Sequence, residues 1–133
     1  MKTVLFVCVH NSGRSQMAEA FFNRLAGSKA RAISAGTQPS EAINAIVVKV
    51  MLEVGLDISR NRPKLLTSEM LDKAGRVITM GCLDSAACPA RLTKAEDWGL
   101  PDPEGKTLAE VIRIRDKIER RVTDLLAELS NRE

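Results

Sequence analysis

One segment near the start of the chain, residues 3–27, reads TVLFVCVHNSGRSQMAEAFFNRLAG. Residues 3–8 are continuously apolar and rich in strand formers, which is typical of a strand covered on both faces. A polar loop follows, and a set of apolar residues then recurs at helical spacing: Ala18, Phe21, Phe22 and Leu25. Gly27 is placed to end that helix. The segment therefore predicts a buried strand, a loop and an amphipathic helix.

The rest of the chain continues the alternation of strands and helices. Further strands are predicted around residues 31–35, 76–80 and 96–98. Strands that alternate with helices form a parallel sheet between helical layers, joined by right-handed crossovers. We therefore expect an α/β fold, a three-layer sandwich with a four-stranded parallel sheet flanked by helices.

Three more helices are predicted from apolar spacing and end signals. Ser40 is a candidate N-cap for a helix closed by Gly55, with an apolar stripe of Ile43, Ile46, Val47, Val50, Met51 and Val54. A short helix is expected over 64–73, with Leu65, Leu66, Met70 and Leu71 on one side. The last helix begins near Thr107, and its inward face comprises Leu108, Val111, Ile112, Ile118, Val122, Leu125, Leu126 and Leu129.

Length and composition narrow the class of protein. The 133 residues are 44% hydrophobic and 28% charged, which suits one domain over 1–133 with a single core. No apolar run approaches the roughly 18 residues of a membrane span, and no cleavable leader is recognisable, so we expect a soluble cytoplasmic protein. We also expect a monomer. The net charge of +3 comes from interleaved charges with few aromatic residues, which does not favour nucleic acid.

The segment 8–15, called the oxyanion loop below, lies where open parallel sheets bind ligands. Main-chain N–H groups at the start of a helix attract anions, and the guanidinium of Arg14 suits two oxygens of a tetrahedral anion. A helix N-terminus and a cation also favour the thiolate form of Cys8, which makes it a candidate nucleophile. The expected substrate-binding residues are Val9, His10, Asn11, Ser12, Gly13, Arg14 and Ser15.

Two residues of the loop have candidate supporting roles. Asn11 is expected to brace the loop through its side-chain amide, and Ser15 to hydrogen-bond the Cys8 sulfur. Simple turn and cap roles are the alternatives for both residues. His10 is interpreted as a loop residue, with contact to substrate as the less favoured alternative.

Residues 8–19, CVHNSGRSQMAE, resemble the active-site loop of the arsenate reductases that share the low-molecular-weight protein tyrosine phosphatase fold. The similarity continues through residues 34–36, 53–59, 77–82, 88–89 and 96–103. Phosphatases share the first part of the motif, whereas residues 15–19, SQMAE, and the additional cysteines favour the reductase branch. The resemblance implies a low-molecular-weight phosphatase-like fold and the reduction of arsenate for detoxification.

The resemblance also implies roles for one acid and three thiols. Asp102, which lies between two prolines, resembles the Asp-Pro general acid of this fold family. Cys8 would attack arsenate while Asp102 donates a proton, Cys82 would attack the Cys8 sulfur, and Cys88 would then take over the disulfide. No bound cofactor is implied. The expected partners are arsenate, with phosphate or sulfate as competitors, and thioredoxin or a low-molecular-weight thiol as reductant.

The spacing of the last two cysteines has a geometric consequence. In a regular helix, six steps from Cys82 to Cys88 would separate their Cα atoms by roughly 10 Å. A disulfide requires a separation of at most about 7 Å. We therefore expect the segment between these cysteines to unwind or loop out when the bond forms.

Some members of the arsenate reductase family that this chain resembles bind potassium beside the oxyanion loop. Asn11, Glu19 and Ser34 match positions used there, but Lys64 replaces an expected carboxylate. An ammonium group is able to stand in for the cation, so we expect no bound metal. A plain surface role is the alternative for Lys64.

Two other functions are compatible with the same loop. A low-molecular-weight phosphatase would share Cys8, Arg14, Ser15 and Asp102, but the tyrosines that line the phosphatase cleft are missing, because the chain has no tyrosine. A sensor without enzymatic activity would bind the oxyanion tightly and not turn it over. Arsenate reduction is the function that the cysteines favour.

Overall fold

Four parallel strands form the centre of the protein, in a computed structural model that describes residues 2–81 and 95–131. The strands are β1 (Lys2–Cys8), β2 (Ala30–Gly36), β3 (Arg76–Thr79) and β4 (Glu96–Asp97), in the order β2-β1-β3-β4. The helices are α1 (Arg14–Ala26), α2 (Ala45–Glu53), α3 (Ser68–Lys73) and α4 (Leu108–Asn131). This arrangement confirms the predicted α/β fold with a four-stranded parallel sheet.

Helices cover both faces of the sheet. Side chains of β1 alternate between these faces, so the strand contributes to a core on each side. Val4, Phe6 and Cys8 of β1 point into the larger core, which is filled by residues of α1, α2 and α4. Leu5 and Val7 point into a smaller cluster with apolar residues from α3. The sheet is therefore the middle of three layers, as expected.

The register of the strands brings their carboxyl ends to one edge. Cys8 at the end of β1 lies opposite Gly36, and Val7 lies opposite Thr79. The chain therefore leaves β1, β2 and β3 at the same edge of the sheet. This edge is where parallel sheets bind ligands.

The predicted start of α2 was wrong. The helix begins at Ala45, and Asn44 caps it by accepting a hydrogen bond from the Ile46 N–H at 2.9 Å. Ser40 instead donates its own N–H to the carbonyl oxygen of His10 at 3.0 Å. The segment around Ser40 is held against the oxyanion loop, so it cannot join the helix.

The predicted helix over 64–73 is shorter than expected. Thr67 caps α3 by accepting from the Met70 N–H, and the residues before it run beside the end of β2. Leu65 forms an isolated bridge with Gly36, and 58% of its surface is exposed, so it does not share the inward side of the helix. Pairing with the sheet edge overrides the helical spacing here.

Several residues assigned to inward faces are exposed. They are Leu25 of α1, Ile46 of α2 and Leu108 of α4. Ala26 takes the buried place at the end of α1, and Ile114 and Arg115 are buried on α4. The helical phases are otherwise as predicted. None of the helices in the described ranges is long and apolar enough to cross a membrane.

Candidate active site

The candidate nucleophile lies at the end of β1. Cys8 is buried, and its Sγ accepts a hydrogen bond from the Asn11 N–H at 3.1 Å. The Ser15 Oγ lies 2.7 Å from the same sulfur. Because the Ser15 Oγ accepts from the Asn11 Nδ2 at 2.7 Å, its own proton can be donated to the sulfur. Two donors directed at Sγ suit a thiolate.

The oxyanion loop is held by its carbonyl groups. The carbonyl oxygens of residues 8, 9, 10 and 12 accept hydrogen bonds from the N–H groups of Thr37, Gln38, Ser40 and Asn44. In a trans peptide the N–H points away from the carbonyl that precedes it, and none of the peptide bonds described is cis. The N–H groups of residues 9, 10, 11 and 13 therefore point to the opposite side, where they can surround an anion.

The N–H groups of residues 9, 10, 11 and 13, together with those at the start of α1, are called the anion nest below. Gly13 occupies the N-cap position and has no side chain with which to cap the helix. Its carbonyl oxygen accepts the first helical hydrogen bond, from the Met17 N–H at 3.0 Å. The free N–H groups of the first turn, with the positive end of the helix dipole, therefore face the same anion.

Asn11 is the brace of the loop. Its φ of 51° places it in the left-handed region, which turns its N–H back toward Cys8. Besides Ser15, its Nδ2 donates to the Ser34 Oγ at 3.1 Å. Its Oδ1 accepts from the Gln16 Nε2 and from the Lys64 N–H. All hydrogen-bonding positions of this buried amide are used, so it holds the loop in one conformation.

Gln16 is a residue whose role the sequence analysis missed. It is fully buried, and its amide connects Asn11 to the Asn61 side chain and the Arg62 carbonyl oxygen. It therefore anchors the loop to the segment that follows α2. Its only signal in the sequence is a polar side chain in the first turn of α1, and that signal does not reveal partners about 45 residues away.

Arg14 joins three segments of the site. Its Nη1 donates to the main-chain carbonyl oxygens of Met80 and Leu100, the latter at 2.8 Å. Both hydrogen bonds use Nη1, so the other two nitrogens of the guanidinium, Nε and Nη2, can donate to an anion. Gly81 is necessary beside it, because a Cβ there would lie 2.8 Å from Nη1.

The candidate acid lies on residues 101–105, called the acid loop below. The Oδ1 of Asp102 accepts from the Glu104 N–H at 3.0 Å, and its Oδ2 lies 3.9 Å from the Arg14 Nη2. Pro103 packs against the oxyanion loop so closely that a Cβ on Gly13 would lie 2.7 Å from its Cγ. This packing brings the half-exposed Asp102 carboxyl beside the anion nest.

The described structure thus brings Cys8, Arg14 and Asp102 together with the loop residues. Cys82 and Cys88 lie outside the described residues. Lys64 lies beside the loop on the other side, with its Nζ 3.7 Å from the Glu19 Oε1. A buried nucleophile, an anion nest and a carboxyl beside it form a site suited to attack on a tetrahedral oxyanion.

Comparison with known proteins identifies relatives of this chain. The family model described as low molecular weight phosphotyrosine protein phosphatase matches residues 3–133. Arsenate reductase 1 of Staphylococcus epidermidis is 41% identical over 121 residues, which cover 88% of this chain and 89% of the relative.

Solved structures agree in fold. An arsenate reductase in the phosphate binding state superposes with a TM-score of 0.85 at 36% identity, covering 96% of this chain and 98% of the other. A thioredoxin-dependent arsenate reductase of Corynebacterium glutamicum gives a TM-score of 0.83 at 36% identity. That match covers all of this chain and 64% of the Corynebacterium chain. The resemblance seen in residues 8–19 is confirmed: the chain belongs to the low molecular weight phosphotyrosine protein phosphatase family, in its arsenate reductase branch.

Proposed function

We propose that this protein reduces arsenate to arsenite, with Cys8 as the nucleophile. The observation that carries the proposal is the outward hydrogen bonding of the oxyanion-loop carbonyls, which turns the N–H groups toward the place where Cys8 Sγ meets an anion. Relatives at 41% and 36% identity that are named arsenate reductases support the choice of arsenate. Phosphate and sulfate have the same tetrahedral shape and should compete.

The first step forms a bond between sulfur and arsenic. The Cys8 thiolate attacks the arsenic atom, and the bond from arsenic to one oxygen breaks. That oxygen, which already carries one proton as an As–OH group, takes a second proton from Asp102 and leaves as water. The remaining oxygens stay bound to arsenic during this step. The main-chain N–H groups and Arg14 stabilise the negative charge on them.

The second step transfers two electrons to arsenic. The thiolate of Cys82 attacks the Cys8 sulfur, a disulfide forms, and the electron pair of the sulfur–arsenic bond passes to arsenic. As(V) becomes As(III), which is released as arsenite. Cys88 then exchanges into the disulfide and frees Cys8. The relay assigns both electrons to protein sulfur, so the chain needs no prosthetic group.

An external reductant must restore the dithiol. The dependence of the Corynebacterium glutamicum relative on thioredoxin supports a thioredoxin-like protein for this role. A low-molecular-weight thiol is the alternative donor. Free thiols of this kind persist in the reducing cytoplasm, where we place the protein.

The residues beside the loop do not fit a potassium ion. The Lys64 ammonium lies 3.7 Å from the Glu19 carboxylate, and the Asn11 Oδ1 is occupied by two N–H donors. We therefore propose that the Lys64 ammonium group supplies the positive charge for which the family resemblance implied a potassium ion.

Arsenite production tests the proposal, measured separately with a thioredoxin system and with a monothiol donor. Cys8→Ser should abolish reduction with both donors. Cys82→Ser and Cys88→Ser should each remove only the thioredoxin-driven turnover. Full thioredoxin-driven activity in Cys88→Ser would eliminate the three-thiol relay, and rapid hydrolysis of an aryl phosphate without arsenite formation would show a phosphatase instead.

A further inference from the structure

Three side chains with metal-binding atoms meet beside the oxyanion loop. His10 belongs to that loop, whereas Asp102 and Glu104 belong to the acid loop. One ligating atom from each residue lies within 4.8 Å of the other two. His10 and Asp102 are partly exposed and Glu104 is exposed, so an ion in solution can reach all three.

The two loops that carry these residues are fixed relative to each other. Pro103 packs on Gly13, and the main chain on either side of His10 is bonded to residues 38 and 40. Asp102 is oriented by the Glu104 N–H. The approach of the three side chains is therefore a product of packed backbone and not of long flexible side chains alone.

One nitrogen of the His10 ring has a main-chain partner, which leaves the other nitrogen available to a metal ion. Its Nδ1 lies 3.1 Å from the Gln38 carbonyl oxygen. A carbonyl can only accept, so Nδ1 carries the proton and the lone pair of the neutral ring is on Nε2. Histidines that bind metals commonly donate their other N–H to a backbone carbonyl, which sets the tautomer and the ring direction.

We infer that His10, Asp102 and Glu104 form a binding site for a divalent transition-metal ion, for which Zn²⁺ is the best match. Zinc accepts one imidazole nitrogen and carboxylate oxygens, with water in the remaining position. Its ligand atoms lie about 3.4 Å apart when each bond is about 2.0–2.2 Å long. The three ligating atoms here lie within 4.8 Å of one another, so side-chain rotations that shorten each separation by at most about 1.4 Å bring them into coordination.

The local charge supports a cation at this position. Asp102 and Glu104 are both carboxylates, and the Arg14 guanidinium lies 3.9 Å from Asp102. Two carboxylates beside this one guanidinium favour the binding of a cation. The site is separate from the position of Lys64, and it revises the expectation from sequence that the chain binds no metal.

The inferred site has one consequence for the reaction. An ion bound to the Asp102 carboxylate occupies the group that gives its proton to the leaving oxygen, so Zn²⁺ should inhibit arsenate reduction. This consequence rests on the proposed function, whereas binding of the ion does not.

Zinc binding tests the site directly, by competition with a chromophoric chelator. The full chain carrying Cys8→Ser, Cys82→Ser and Cys88→Ser removes thiolates as rival ligands. This thiol-free chain should bind one Zn²⁺, and His10→Gln or Glu104→Gln should each weaken binding at least tenfold. Glu119→Gln, a matched change at an exposed residue of α4, should leave the affinity unchanged.

Nuclear magnetic resonance supplies an independent readout in the wild-type chain. His10 is the only histidine, so its ring nitrogen signals are unambiguous. Saturating Zn²⁺ should shift the Nε2 signal strongly. The site is ruled out by no binding to the thiol-free chain at millimolar Zn²⁺, by affinity that His10→Gln and Glu104→Gln leave within twofold, or by an unshifted Nε2. These results are independent of the proposed function, which is tested by comparing arsenite production in the wild type and in Cys8→Ser.

Discussion

At the scale of single residues, the candidate site depends on polar side chains whose partners are internal. Asn11 and Gln16 are fully buried and connect the oxyanion loop to residues 34, 61 and 62. A buried amide that loses a partner costs about 1–3 kcal/mol, so each member of this network holds the others in place. The anion nest is therefore formed before an anion binds.

Gly81 provides a test of how Arg14 is positioned. Its φ is 114°, and an added Cβ would lie 2.8 Å from the Arg14 Nη1. Gly81→Ala should weaken phosphate binding about tenfold, because the guanidinium must move. Gly27→Ala is the matched control, since its φ is also positive but its Cβ would meet nothing within 4 Å.

Both alanine variants should lose about 1 kcal/mol or more of unfolding free energy, from backbone strain. Only the Gly81 variant should lose affinity, as measured by calorimetric titration with inorganic phosphate. Equal phosphate affinity in the two variants would show that Arg14 does not depend on this close approach.

At the scale of elements, the strands and helices place their ends where the site needs them. The carboxyl ends of β1 and β2 lie together, with Cys8 opposite Gly36. The segment 37–44 then runs alongside the oxyanion loop and is hydrogen-bonded to it, and α2 begins only at Ala45. The delayed start of α2 is therefore part of how the loop is held.

The start of α2 can be tested by comparing two candidate caps. Asn44→Ala should lower the unfolding free energy by about 1 kcal/mol, because the Ile46 N–H loses its side-chain acceptor. Ser40→Ala should change it by less than about 0.5 kcal/mol, because only the main chain of Ser40 is bonded to the loop. Urea unfolding of both variants measures the difference. A larger loss in Ser40→Ala would return the helix start to the sequence-based position.

At the scale of the whole molecule, one core joins the sheet to three helices. Trp98 is the only tryptophan in the chain, and it packs in that core with its ring centroid 5.5 Å from that of Phe6. Buried residues of β1, α1, α2 and α4 belong to the same core. This continuity supports our proposal that residues 1–133 are one domain.

A single domain should unfold in one cooperative transition. Tryptophan fluorescence should follow the core at Trp98, and far-ultraviolet circular dichroism should follow the helices. The two thermal curves should therefore coincide, with one midpoint. Midpoints separated by more than about 5 °C would show that part of the chain unfolds independently.

The sequence by itself determined the strand, loop and helix of residues 3–27, the α/β class and the family. These features depend on local periodicity and on a motif of adjacent residues, both of which are visible without a fold. Approximate limits of the four strands in the described ranges followed from the same signals. The nucleophile and the cation of the site could be selected for the same reason, because Cys8 and Arg14 belong to one short loop.

Only the tertiary structure decided which distant groups meet that loop. The carbonyl partners of Arg14 are 66 and 86 residues away, and His10 faces a carboxyl pair more than 90 residues later. Ser40 and Leu65 lie outside the helices predicted for them, because main-chain hydrogen bonds hold Ser40 beside His10 and Leu65 beside Gly36. Such contacts depend on strand order and loop packing, which local periodicity does not encode.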